Sequence, residues 1–144
     1  MPEATANPWE ESLIADIRAH GGSPSQGPLA GDPLLLMWST GAKTGERRRA
    51  ILSYSRDGDD LVVAGTKSGA PVDPLWVANV KANPRVTLEV ANETFDADAT
   101  VHAGGPERDR LWRQHVERLP RFANYERLVT TRTIPVVKLH RVAG

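Results

Sequence analysis

The segment WSTGAKTGERRRAIL, residues 38–52, gathers cationic side chains around two glycines. Gly41 and Gly45 allow a turn with positive φ that exposes backbone N–H groups, and Lys43 and Arg48 add positive charge. Such a turn suits a phosphate or carboxylates. It is not a Walker A loop, because its lysine precedes the second glycine, and it is not a GxGxxG turn. The segment therefore predicts an anion site of another kind.

A second loop has similar chemistry. Taken alone, the first turn could equally be a solvated hairpin tip whose charges keep a sheet edge soluble. Residues 66–69, Thr-Lys-Ser-Gly, directly follow the third predicted strand. If the second and third strands are neighbours in a barrel, Lys67 lies near the first turn. Two anion-binding loops at one end of a barrel favour a single site.

The rest of the chain offers no catalytic constellation of its own. The four histidines, at 20, 102, 115 and 140, show no metal-ligand spacing, no serine lies in a GxSxG context, and cysteine is absent. We therefore expect no metal site and no thiolate or serine nucleophile.

Composition narrows the classes of partner. The 144 residues suit one domain, and 18 basic residues balance 18 acidic ones, so nothing global indicates a nucleic-acid partner. The absence of cysteine permits a reducing compartment, and the acidic start and short aliphatic runs indicate neither a leader nor a membrane span. We expect a cytoplasmic protein that acts on a small molecule.

The N-terminal region predicts a helix and a connector. Asn7 and Pro8 are a cap and first-turn proline, the helix ends before two glycines, and residues 23–33 are rich in Pro, Gly and Ser. We expect residues 1–33 to pack on a barrel domain of residues 34–144. The acids Glu10 and Glu11 disfavour contact with an anionic membrane surface.

The remaining elements are mostly strands. Predicted strands cover 34–39, 47–56, 61–66, 85–90, 94–103 and 134–142, and predicted helices begin near 73, 105 and 121. Six strands at short spacing with inserted helices predict a mainly β (α+β) antiparallel barrel, and argue against a doubly wound sheet.

Three stretches carry a resemblance to a known family. STGAKTGERRRAIL, VVAGTKSGAPVDPLWVANVKANPRVTLEV and FANYERLVTTRTIPVVKL occur in this order and span, with their flanks, residues 7–142. The chain resembles the deazaflavin-dependent nitroreductase family, split-barrel oxidoreductases that use coenzyme F420. Its most specific motifs are TGxKTG, the KxGA loop, and a helix end with Trp76, Asn79 and Asn83.

The resemblance implies a single-domain split β-barrel, FMN-binding-like, and an enzyme that transfers a hydride from reduced coenzyme F420 to an electron-poor small molecule. The cofactor is a flavin analogue with a phosphate and an oligoglutamate tail, hence a polyanion, which explains the cationic turn. Trp76 and Asn79 would border its ring, and Ile51 and Leu52 would form an apolar floor. The residues matched to cofactor binding are Thr40, Gly41, Lys43, Thr44, Gly45, Arg48, Ile51, Leu52, Thr66, Lys67, Ser68, Gly69, Trp76 and Asn79.

The substrate side is less defined by the resemblance. Leu119, Phe122 and Tyr125 match substrate-pocket positions, and the proton would come from Tyr125 or from solvent. Trp76 could instead be a core residue and Tyr125 a helix-packing one. A quinone, an enone-like compound and a nitroaromatic stay open as acceptors. So do a non-catalytic F420 carrier, a split barrel that binds flavin mononucleotide, and a monomer or homodimer.

Overall fold

One curled antiparallel sheet forms the centre of the protein. A computed structural model describes residues 8–27 and 29–142, without the side chain of Ser68. The strands are β1 (Leu34–Thr40), β2 (Arg47–Ser53), β3 (Ser55–Asp57), β4 (Asp60–Ala64), β5 (Arg85–Val90), β6 (Glu93–His102) and β7 (Val136–Arg141), in the spatial order β2-β1-β5-β6-β7-β4-β3. The two outermost strands, β2 and β3, are joined through Tyr54, so the sheet curls into a half-barrel.

The hairpin of β1 and β2 carries the predicted cationic turn. Leu35 pairs with Leu52 and Met37 with Ala50, and these four side chains face the main core inside the half-barrel. Side chains alternate along a strand. Arg48 therefore lies on the inner face at the turn end of β2.

The predicted second strand, residues 47–56, is two strands in the structure, because Tyr54 interrupts it. Only its last part, β3, pairs with β4. The expectation that the second and third predicted strands are neighbours therefore holds for β3 alone, because four strands, β1, β5, β6 and β7, lie between β2 and β4 in the sheet order.

Among the described residues, helix α1 (Pro8–Ala19) precedes the sheet, and helices α2 (Leu75–Ala82), α3 (Pro106–Arg118) and α4 (Phe122–Leu128) are inserted between strands. Ile14 and Ile17 of α1 are buried, and Arg18 binds Glu89 of β5 at 2.9 Å, so this helix packs on the half-barrel. The predicted cap Asn7 lies outside the described residues. The division of the chain at residue 33 stays a prediction.

A second core lies outside the main one. Leu111 and Trp112 of α3, Leu119, and Phe122 of α4 pack with Val136 of β7. This cluster covers the outer face of β4 and β7, so α3 and α4 lie on one side of the sheet.

Candidate functional site

A cavity of about 500 Å³ opens where the β1–β2 turn meets the start of α2. Its wall combines residues from the turn, from the inner end of β2, from the loop after β4 and from α2. They are Ser39, Gly41, Ala42, Lys43, Thr44, Arg48, Arg49, Ala50, Lys67, Pro74, Leu75, Trp76, Ala78 and Asn79. Seven of the residues predicted for cofactor binding are on this wall.

The glycine turn is closed by its own backbone. The N–H of Gly41 donates to the carbonyl of Glu46 at 2.7 Å, and the N–H of Gly45 donates to the carbonyl of Gly41 at 3.0 Å. Gly45 has a φ of 72°, which favours glycine. A Cβ at Gly41 would approach the Thr44 hydroxyl to 2.8 Å. The expected positive φ is thus confirmed at Gly45 and is wrong for Gly41, where the close approach of Thr44 requires glycine instead.

Helix α2 anchors this turn from the side. The side-chain oxygen of Asn79 accepts the N–H of Ala42 at 3.0 Å, and the Asn83 amide donates to the carbonyl of Thr40 at 3.4 Å. Asn79 is buried, so its hydrogen bond is shielded from water. Asn79 therefore lines the cavity and holds the turn at the same time.

Fewer backbone donors face the cavity than the sequence suggested. The N–H groups of Gly41, Ala42, Gly45 and Glu46 all donate within the protein. Within the described chain, only the N–H groups of Lys43 and Thr44 in this turn have no hydrogen-bond partner. In this turn, two N–H groups are therefore available to a ligand, fewer than the several expected from the sequence.

The loop after β4 brings a second lysine to the same cavity. Lys67 begins a short 3₁₀ helix, Lys67–Gly69, and has a positive φ of 46°. The guanidinium of Arg132 binds carbonyls on both sides of this turn, at Gly65, Thr66 and Ala70. Arg132 was not identified from the sequence, because most of its partners are backbone carbonyls more than sixty residues away in the chain.

The charge on the cavity wall has one sign. The wall holds Lys43, Arg48, Arg49 and Lys67 and no carboxylate. Arg48 pairs with Glu46 at 2.8 Å and Arg49 with Glu11 of α1 at 3.0 Å. Both lysines, by contrast, have no carboxylate within ion-pair distance in the part of the chain that the structure describes. Such a wall attracts a polyanion.

Part of the cavity wall is apolar. It is formed by Pro74, Leu75 and Trp76 at the start of α2. Trp76 is buried, while Leu75 is 81% exposed. An exposed leucine beside a buried tryptophan provides an apolar surface at the mouth, next to the cationic wall.

Several predicted cofactor residues are near the cavity without forming its wall. Thr40 and Gly45 flank the turn, and Thr66 and Gly69 belong to the second loop. Ile51 pairs with Leu36 and Leu52 with Leu35, on opposite faces of the hairpin, and Ala50 is the β2 residue that reaches the cavity. The side chain of Ser68 lies outside the described structure.

The predicted substrate residues lie elsewhere. Leu119 and Phe122 are buried in the second core, and the Tyr125 ring packs edge-on against Phe122, with 5.2 Å between ring centroids. The Tyr125 hydroxyl accepts a hydrogen bond from Arg121 at 3.2 Å. The structure therefore does not bring these three side chains onto the cavity wall.

The described residues include no group of three or more His, Asp or Glu side chains that could hold a metal ion. Across residues 8–27 and 29–142, no helix has the length and hydropathy needed to cross a membrane.

The curled antiparallel sheet and the order of its strands define a split β-barrel of the FMN-binding-like class. Its fold alone is similar to that of HutZ, a heme storage protein from Vibrio cholerae, at 15% identity with a TM-score of 0.60, covering 93% of this chain and 91% of that one. The predicted fold class is confirmed.

The sequence family described as F420H(2)-dependent quinone reductase matches residues 12–141, and the chain belongs to this family. It is 40% identical to an F420H(2)-dependent quinone reductase of Mycobacterium tuberculosis, over 76% of this chain and 74% of that protein. A solved F420-H2 dependent reductase (FDR-A) is 34% identical with a TM-score of 0.67, covering 75% of this chain and 94% of the other. The protein is an F420-dependent reductase, as predicted.

The cavity fits the cofactor on structural grounds. Coenzyme F420 combines a flat aromatic ring with a phosphate and an acidic tail. The wall offers two lysines without carboxylate partners in the described structure, two arginines, no acid, and the indole of Trp76. The cationic side chains therefore complement the phosphate and the acidic tail, and the indole of Trp76 complements the ring.

Proposed function

We propose that the protein reduces a quinone with a hydride from coenzyme F420, and that both bind at the cavity between the glycine turn and α2. One observation carries this proposal: the wall joins a cationic side that has no carboxylate to an apolar mouth at Leu75. A polyanionic cofactor and an apolar electron acceptor can share such a site.

The cationic side would take the phosphate and the acidic tail. Lys43 and Lys67 supply ammonium groups that no carboxylate neutralises in the described structure. Arg48 is bound to Glu46, but both side chains are more than 40% exposed, so this ion pair contributes little and can exchange for a ligand anion. Charge-assisted bonds to these groups would orient the cofactor.

Trp76 of α2 and Ala50 on the inner face of β2 would contact the ring, because both are apolar residues of the cavity wall and both belong to the main core or pack against it. When bound, the reduced cofactor supplies a hydride, and a quinone that accepts it with one proton becomes a hydroquinone. Leu75 would hold the quinone at the mouth, and the protein would contribute position and partial exclusion of water.

The proton source is either water or Tyr125. The cavity is open, so water reaches its mouth. Tyr125 lies on α4 with its hydroxyl bound to Arg121. Its role as a donor stays a prediction from the resemblance.

Titration of the purified protein with oxidised coenzyme F420 and with flavin mononucleotide, followed by tryptophan fluorescence, tests the proposal. We expect saturable binding of the deazaflavin and weaker binding of the flavin, then oxidation of reduced F420 when a soluble quinone is added. Binding without turnover on quinones, enones and nitroaromatics would support the carrier alternative. Absence of F420 binding would contradict the proposal.

Variants of the two lysines sharpen this test. Lys43→Ala and Lys67→Ala should each raise the cofactor Kd about tenfold through loss of a charge-assisted contact. Lys81→Ala is the matched control, because Lys81 is an exposed lysine of α2 outside the cavity wall. Equal affinity in all four proteins would reject the anion site.

The assembly is proposed as a monomer or a homodimer, as expected from the sequence. A solved chain described as a domain-swapped dimer is 29% identical with a TM-score of 0.68, and it covers 93% of this chain and 100% of its own length. Light scattering on the purified protein distinguishes the two states.

A further inference from the structure

Lys67 reaches the cavity from a strained backbone. Its φ of 46° lies in the left-handed region, which costs a non-glycine residue about 1 kcal/mol or more. Such a conformation persists only when surrounding contacts hold it. The contacts of Arg132 surround this residue.

The Arg132 guanidinium binds several groups of the loop that follows β4. It donates to the carbonyls of Gly65 at 3.0 Å, Thr66 at 3.1 Å and Ala70 at 2.9 Å, and pairs with the Asp73 carboxylate at 2.7 Å. Its side chain is only 12% exposed. The carbonyls lie before and after Lys67 in the chain, so one rigid planar group fixes both ends of the turn.

We propose that Arg132 is a positioning residue of the cofactor site. It holds the segment 65–73 in the conformation that directs Lys67 toward the anionic part of the cofactor. The inference rests on the proposed cofactor site for its functional consequence, while its structural half concerns the protein without cofactor.

The structural half is tested by hydrogen–deuterium exchange on the cofactor-free protein. The amides of Gly69 and Ala70 donate to the carbonyls of Thr66 and Lys67. In Arg132→Lys these amides should exchange at least about tenfold faster, because a single ammonium cannot bridge three carbonyls. Peptides from β5 should exchange at the wild-type rate. Unchanged exchange in the segment, or faster exchange everywhere, would overturn the proposal.

The functional half is tested by a double-mutant cycle on the Kd of oxidised coenzyme F420. Arg132→Lys should raise the Kd about tenfold in the wild-type background. It should change the Kd less than about twofold in the Lys67→Ala background, because Arg132 acts through that lysine. A tenfold effect in both backgrounds would assign Arg132 a general structural role and reject the inference.

The two experiments distinguish a failure of the Arg132 proposal from a failure of the proposed function. If wild-type protein binds no F420, the proposed function fails, and the exchange experiment still decides whether Arg132 fixes the loop. If Arg132→Lys does not fold, Arg132→Gln, which retains one amide donor, is measured in the same two ways and with the same criteria.

Discussion

The side-chain oxygen of Asn79 accepts the N–H of Ala42 at 3.0 Å, which links helix α2 to the turn that carries Lys43. Asn79→Ala removes this acceptor and leaves a turn amide without a partner. We expect the Kd of coenzyme F420 to rise about fivefold, since the turn would no longer hold its lysine against the cavity. Fluorescence titration measures this change.

The matched control is Asn83→Ala, in the same helix end. Asn83 donates to the carbonyl of Thr40 at 3.4 Å, a longer contact than that of Asn79. Its removal should change the Kd less than about twofold. A larger effect of Asn83→Ala than of Asn79→Ala would show that the turn is held chiefly through Thr40.

Leu75 tests the apolar mouth of the cavity. Because it is 81% exposed, Leu75→Ser should leave the free energy of unfolding unchanged. It should raise the KM of the quinone about three- to tenfold, since the acceptor loses apolar contact, and leave the cofactor Kd unchanged.

The control for Leu75 is Val72→Ser, in the preceding loop. Val72 is 56% exposed and is not part of the cavity wall. Its kinetics should match those of the wild type. Equal KM values in the two variants would argue that the quinone binds away from the start of α2.

Tyr125→Phe distinguishes the two proton sources. Because the hydroxyl lies outside the cavity wall and is bound to Arg121, we expect kcat to stay within about twofold of wild type, with water as donor. A fall of tenfold or more in kcat, with unchanged cofactor Kd, would instead support the role expected from the resemblance.

Local patterns predicted much of the fold. The range 85–90 was predicted as a strand and matches β5, because alternating side chains and a preceding Asn-Pro fix both its type and its start. The β1–β2 hairpin followed from the glycine turn between two apolar runs. The break at Tyr54 was missed, because it arises from closure of the sheet and has no local glycine or proline.

Only those parts of the site that have a local sequence pattern could be predicted. Lys43 and Lys67 lie next to glycines that identify their loops in the sequence, and both are on the cavity wall. Arg132 has no such local pattern, since most of its partners are backbone carbonyls distant in the chain. Phe122 matched a pocket position by resemblance, but the packing of α3 and α4 on β4 and β7 places it in the second core.

The buried side chain of His115 should make the free energy of unfolding depend on pH. Its side chain is fully buried, its Nδ1 lies 2.6 Å from the Ser55 hydroxyl, and burial lowers its pKa from 6.5 to about 4, with a smaller contribution from the charge of Arg121. The unfolded chain thus takes up this proton at higher pH than the folded one does. The contribution to stability is complete above about pH 6.5 and is lost as the pH falls toward about 4.

The loss over this range should be about 3 kcal/mol, measured by urea unfolding at several pH values. His115→Phe should flatten the curve between about pH 6.5 and 4, whatever its effect on stability at neutral pH. Asp57, whose pKa is lowered by Arg110 and Lys138, acts only below its ordinary value of 3.8. Glu93 and Glu107, whose pKa values are lowered by Arg141 and Arg110, act below their ordinary value of 4.5, so the slope of His115 is read between about pH 6.5 and 5. A retained slope in His115→Phe would show that His115 does not cause it.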